Sequence, residues 1–133
     1  MEGDIAAMGQ FIGAGLAAIG SGYGGGMAAG ASCEGVSRQP ETATAVTTTM
    51  LVGQAVAQTP SVFGLLISFI LMFRIFPEST TLSASVGLLS AGLCMGLGGI
   101  GPGIGNGMTA EGAVRWVARR ADYAGDLMRI MLV

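Results

Sequence analysis

Charged side chains recur along this chain at intervals far longer than a soluble helix tolerates. Twenty-nine uncharged residues separate Asp4 from Glu34, 32 separate Glu41 from Arg74, and 32 more separate Glu78 from Glu111. A helix crosses a bilayer in about 20 largely apolar residues, so each stretch predicts a membrane span with turns to spare. The first is not expected to be a cleaved leader, because acidic Glu2 and Asp4 precede it and its apolar run is too long. Breakers and polar clusters predict helices over 5–37, 42–76 and 82–119, and the opening turns of a fourth over 125–133. The tight loop Arg38-Gln39-Pro40-Glu41 joins the first two, and Pro77-Glu78-Ser79-Thr80-Thr81 makes the opposite connection. The fold class predicted is an all-α integral membrane protein.

The arginines set an orientation. Arg38, Arg115, Arg119, Arg120 and Arg129 fall on the side of the first and third loops, and Arg74 alone toward the other. By the excess of cations in cytoplasmic loops, loops 38–41 and 119–126 are expected in the cytoplasm of a multi-pass protein of the cell (inner) membrane. The chain also repeats. A shift of 77 lays Gly22, Gly24, Gly26 and Gly30 on Gly99, Gly101, Gly103 and Gly107, and Glu34-Gly35 on Glu111-Gly112. Beyond the loop a shift of 81 lays Met50-Leu51-Val52 on Met131-Leu132-Val133. The expectation is a duplicated helical hairpin: residues 1–76, a connecting loop over 77–81, and a second hairpin over 82–133 that stops early in its outer helix.

Composition removes several functions. There is no His, which takes away the commonest acid/base and metal ligand near neutral pH. There is no Lys, and the net charge is −2, so nothing is placed to grip a phosphate backbone and no nucleic-acid partner is expected. Cys33 and Cys94 lie far apart in apolar runs and read as packing residues. The 24 glycines invite a nucleotide-binding reading, but a phosphate loop needs a strand before it and, in the Walker form, a Lys.

Helical geometry accounts for the glycines better. Residues two apart differ by about 200° around a helix, so alternate glycines form two bare rows on nearly opposite sides. Gly22, Gly26 and Gly30 make one row of the first helix, with Gly20 and Gly24 opposite. In the third helix the rows are Gly99, Gly103 and Gly107 against Gly101 and Gly105. Small residues every fourth position allow close helix approach in membranes, and two opposed rows suit a helix with a like neighbour on each side, as in a closed ring. The second helix carries bulky Leu, Val, Ile and Phe from Met50 to Phe73, as an outer, lipid-facing helix would.

The glycine helix, the Arg38-Gln39-Pro40-Glu41 loop and Met50-Leu51-Val52-Gly53-Gln54-Ala55-Val56-Ala57 together resemble the proteolipid c-subunit that builds the rotor ring of F-type ATP synthases, in a duplicated, vacuolar-type arrangement. The resemblance implies a non-catalytic transport component that carries Na⁺ or H⁺, with no other cofactor. Its implied partners are further c-subunits in a ring (including single-hairpin copies), the stator a-subunit, a central stalk met by the loop Arg38 to Glu41, and membrane lipid. In that family a mid-membrane carboxylate of the outer helix holds the ion, because an ion in hydrocarbon needs a buried charge and oxygens in place of water. Here Gln58 stands at that position, so the first hairpin is expected to be ion-silent. The resemblance also implies a Na⁺-linked second hairpin. Asn106 takes the inner-helix amide position in Gly101-Pro102-Gly103-Ile104-Gly105-Asn106-Gly107, where the first helix has Ala29. Thr59 matches a hydroxyl ligand and Val56 a backbone-carbonyl ligand, so a Na⁺ site would use Asn106 and Thr59. The carboxylate matching Gln58 would fall about six residues past Val133. Two other readings stand beside this one: a structural ring spacer that binds no ion, and an unrelated glycine-packed transporter or pore.

Overall fold

The computed structural model describes residues 2–73 and 82–133, with the side chains of residues 2–6 and 10 left aside. Among the described residues every regular element is helical: α1 (Glu2–Arg38), α2 (Ala43–Ala57), α3 (Thr59–Met72), α4 (Leu82–Arg119) and α5 (Ala124–Leu132). The stretches Pro40–Met72 and Leu82–Arg119 are long and apolar enough to cross a membrane. α1 has comparable length, 37 residues or about 55 Å at 1.5 Å per residue, but Gly and Ala dilute its apolarity. The expected end of the second helix at 76, the connection over 77–81 and Arg74 lie outside the described residues.

α1 and α4 run side by side in the same direction. A β-carbon added to Gly9 would meet the backbone of Leu88 and Leu89, one on Gly13 that of Gly92, and one on Gly20 that of Ile100, at 2.5–2.8 Å. Further along, Gly24 faces Gly103 and Gly107. Both partner numbers rise together, so the helices are parallel, and backbone meets backbone because no side chain intervenes. None of the described glycines has a positive φ. They serve by lacking a side chain, not by turning the chain.

The outer helix runs antiparallel over the seam between these two. A β-carbon on Gly53 would stand 2.5 Å from the Ala110 methyl, and one on Gly64 would stand 2.7 Å from that of Ala17. At the loop end Ala31, Val46, Val114, Val117 and Ala118 form a buried apolar cluster, against which Ala124 and Leu127 of α5 also pack. The two short inner-to-outer connections therefore lie at one end of the molecule, with Arg38, Arg115, Arg119, Arg120 and Arg129.

Two expectations need correcting. The helix over 42–76 is locally interrupted at one residue, Gln58, between α2 and α3, although Gln58 keeps helical angles. Pro60 is the cause, since it has no N–H and its ring crowds the carbonyl four residues back. The repeat also runs at a single spacing of 81 through the inner helices, not 77. Helix ends Arg38 and Arg119, the 3₁₀ turns Pro40–Thr42 and Ala121–Tyr123, and outer-helix starts Ala43 and Ala124 all differ by 81. So do their hydrogen bonds: Gln39 N–H to Gly35 O matches Arg120 N–H to Trp116 O, and Thr42 N–H to Gln39 O matches Tyr123 N–H to Arg120 O. At this spacing Ile19-Gly20 through Gly26-Met27 lies on Ile100-Gly101 through Gly107-Met108. The contacts become level as well. Gly24 meets the counterparts of Gly22 and Gly26, one on either side of its own height.

Candidate functional site

The break at Gln58 places a polar group of side chains deep in the apolar span. In an unbroken helix residue 60 would donate to the Val56 carbonyl. Pro60 cannot, and that oxygen is left with the Gln58 N–H, which also reaches Gln54 O. Two side chains of the outer helix then reach backbone on α1: Gln54 Nε2 donates to Gly25 O at 3.2 Å, and Ser61 Oγ donates to Ala17 O at 3.3 Å. Gln58 turns toward the same place, its Nε2 lying 3.6 Å from where a Gly25 β-carbon would be. Ser21, between Ala17 and Gly25 on α1, is fully buried and its Oγ has no hydrogen-bond partner.

On its other flank the outer helix walls a groove of about 720 Å³ with α4, lined by Thr59, Phe63 and Ile67 on one side and Met95, Pro102 and Asn106 on the other. Thr59 and Asn106 supply the side-chain oxygens of this otherwise apolar lining. The structure thus brings Thr59 of the first hairpin and Asn106 of the second into one groove. Val56 and Gln58 are not among its lining residues, and Gln58 faces Gly25 instead.

With the repeat at 81, the counterpart of Asn106 in the first hairpin is Gly25, not Ala29. The geometry agrees, because Gly25 is the inner-helix residue opposite Gln58. An amide at Ala29 would sit one turn nearer the loops. Gln54, Ser61 and the Pro60 break do not stand out from sequence as site features, although Pro60 after Gln58-Thr59 is a legible helix-breaking signal.

The glycine rows divide cleanly. Gly24 of one α1 row and Gly99, Gly103 and Gly107 of one α4 row are consumed in the α1–α4 seam, whereas Gly22, Gly26, Gly30, Gly101 and Gly105 have no atom within 4 Å of an added β-carbon. Each inner helix therefore presents one occupied and one bare face. At the loop end Glu34 pairs with Arg38 at 2.6 Å and Glu111 with Arg115 at 2.7 Å. In the loop itself Gln39, Pro40 and Glu41 are exposed.

Comparison with known proteins bears on the same features. The family model for the ATP synthase c-subunit matches residues 8–71 and again 89–133, two segments whose starts are 81 apart. The ATP synthase c-subunit of Clostridium botulinum (strain Hall) is 44% identical over 71 residues, covering 53% of this chain and 89% of the relative. That of Cereibacter sphaeroides is 46% identical over 78 residues, 56% of this chain and 100% of the relative. That of Alkaliphilus oremlandii is 52% identical over 65 residues, 47% of this chain and 74% of the relative. Relatives matched over most or all of their length thus account for about half of this chain, and the family model matches twice. With its tight glycine seam, its loops and its outer helix folded as a hairpin repeat, the chain belongs to the c-subunit family of ATP synthases.

Proposed function

We propose that this chain is a rotor-ring component of a membrane ATP synthase, coupling the passage of Na⁺ (or H⁺) to rotation and ATP synthesis without catalysing any reaction itself. The observation that carries the ion reading is the groove shared by Thr59 and Asn106. A cation carried through hydrocarbon needs several oxygens to replace its water, and these two side chains supply oxygens to one groove beside Gln58. The remaining requirement is a carboxylate that can be neutralised, and Gln58 cannot serve, being neutral at every pH. A site between the hairpins therefore needs an acid other than Gln58, and the outer helix of the second hairpin is where the position matching Gln58 would supply it. The bare rows of Gly22, Gly26 and Gly30 and of Gly101 and Gly105 receive neighbouring inner helices in the ring. The loop Arg38 to Glu41 meets the central stalk on the cytoplasmic side, and the lipid-facing surface passes the stator a-subunit.

The test is carbodiimide labelling of the assembled synthase with and without Na⁺. We expect Na⁺ to slow labelling of this chain and Asn106→Ala to remove the protection. Labelling governed by pH alone would assign the site to H⁺. A chain that takes no label at all would make it a structural spacer, the reading that Gln58 favours for the first hairpin.

A further inference from the structure

At the loop end the seam between α1 and α4 opens into a small cavity of about 90 Å³, well above the roughly 10–15 Å³ needed to hold one water. Its floor is small: Ala31, Gly35 and Ala118. Its polar lining is Glu34, Arg38, Gln39, Arg115 and Arg119. Three arginines and one glutamate thus line the cavity. Arg38 is compensated by Glu34, and Arg115 by Glu111 one turn below. Among the described residues Arg119 has no ion-pair partner. It lies over the Trp116 ring, 5.4 Å from the centroid. Stacking holds a guanidinium without neutralising it, so the cavity keeps one uncompensated positive charge.

We propose that this cavity binds the phosphate of an anionic phospholipid headgroup. The charge matches, since a phosphodiester carries one negative charge against one unpaired guanidinium. The donor geometry matches too: Arg38 and Arg115 each have N–H groups beyond those spent on their carboxylates, and guanidinium forks are well suited to phosphate oxygens. Arg38 and Arg119 are the last residues of their helices, beyond the uncharged stretches that end at Glu34 and Glu111, and exposed Trp116 one turn before Arg119 is of the type that anchors at a membrane interface. Basic pockets between membrane helices at this level hold lipid phosphates in preference to soluble anions because acyl chains add their own burial. The site depends only on the chain spanning a membrane, and not on its carrying an ion.

The experiment is native mass spectrometry of rings containing the full chain, extracted from nanodiscs of phosphatidylglycerol with phosphatidylcholine. Wild-type rings are expected to retain phosphatidylglycerol over phosphatidylcholine, Arg119→Gln to lower that retention about tenfold, and Arg129→Gln, an arginine outside the cavity, to leave it unchanged. Equal retention of the two lipids by wild-type rings overturns the proposal whether or not any variant assembles. Displacement of the lipid by millimolar inorganic phosphate would make this a soluble-anion site and overturn the lipid assignment. Retention insensitive to Arg119→Gln would equally overturn it.

Discussion

Gly35 of α1 lies so close to Ala118 of α4 that a β-carbon on the glycine would stand 2.7 Å from the alanine methyl. Eighty-one residues on, the position of Gly35 is taken by Trp116, more than half exposed. At the far end, Gly9 and Gly13, which touch backbone on α4, have Ser90 and Cys94 as counterparts. The seam inside the chain and the seam that α4 makes with a following inner helix are thus unlike at both ends. Between those ends Gly98, Gly101, Gly105 and Gly112 leave α4 open, with no atom within 4 Å of an added β-carbon.

The two glycine rows should respond differently to a large side chain. In Gly103→Leu the new β-carbon would lie 2.6 Å from Gly20 C and Ser21 N, and two helix backbones must separate. The loss expected is at least ~1–3 kcal/mol, as for overpacking, and the chain itself should become protease-sensitive. Gly26→Leu meets nothing within 4 Å. It should leave the chain folded and block ring closure, which sizing of detergent-extracted complexes would register. Rings at wild-type yield from Gly26→Leu would remove the bare row from the assembly account.

Restoring an ion site to the first hairpin should need two changes. Gln58→Glu alone places an acid at mid-span, where the apolar surroundings of a membrane favour its protonated form, so its carbodiimide labelling should be indifferent to Na⁺. Adding Gly25→Asn supplies the missing amide oxygen, and the space is there, since a β-carbon at Gly25 meets only Gln58 Nε2 at 3.6 Å. Na⁺ protection is expected in that double variant and not in Gln58→Glu with Ala29→Gln. The opposite result would restore the four-residue-shorter alignment of the inner helices.

Gearing follows from an amide where an acid is expected. On the proposed function, two hairpins sharing one carboxylate would move one ion where two single hairpins move two. Each charge crossing contributes about 2.3 kcal/mol per 100 mV, so a ring richer in this chain sustains a lower ATP/ADP ratio at a given potential. Counting carbodiimide-labelled residues per copy checks the premise: label at two sites in one chain would contradict it.

Pro60→Ala should rejoin α2 and α3. A proline within a helix costs about 3 kcal/mol relative to alanine, and the new N–H can bond Val56 O. Amide exchange across 57–62 should slow. Na⁺ protection of the groove should weaken if the carbonyl is used there. Unchanged exchange would mean that packing of Gln58 against α1, and not Pro60, interrupts the helix.

Much of the fold is legible in the sequence because charge spacing and breakers are strong signals in a membrane protein. The helix expected over 82–119 is observed as Leu82–Arg119, and the loop at Arg38 to Glu41 ends α1 where expected. The register of the repeat is harder to read for a physical reason. Glycines at every second position superpose on themselves after a slip of four, about one helical turn, so the series cannot fix its own alignment. The flanking Ile19 and Met27, matched to Ile100 and Met108, do fix it. The candidate residues can be picked by type but not by partnership: that Thr59 shares a groove with Asn106 while Gln58 faces Gly25 depends on which flank of the outer helix each occupies.

Because α1 and α4 belong to one polypeptide, their seam closes intramolecularly, at an effective concentration that dilution leaves untouched. Every seam made with another chain is a bimolecular contact and weakens as ring components thin out in detergent or lipid. Solubilised rings should therefore come apart at alternate inner-helix boundaries wherever this chain occurs, and its paired inner helices should leave as one block.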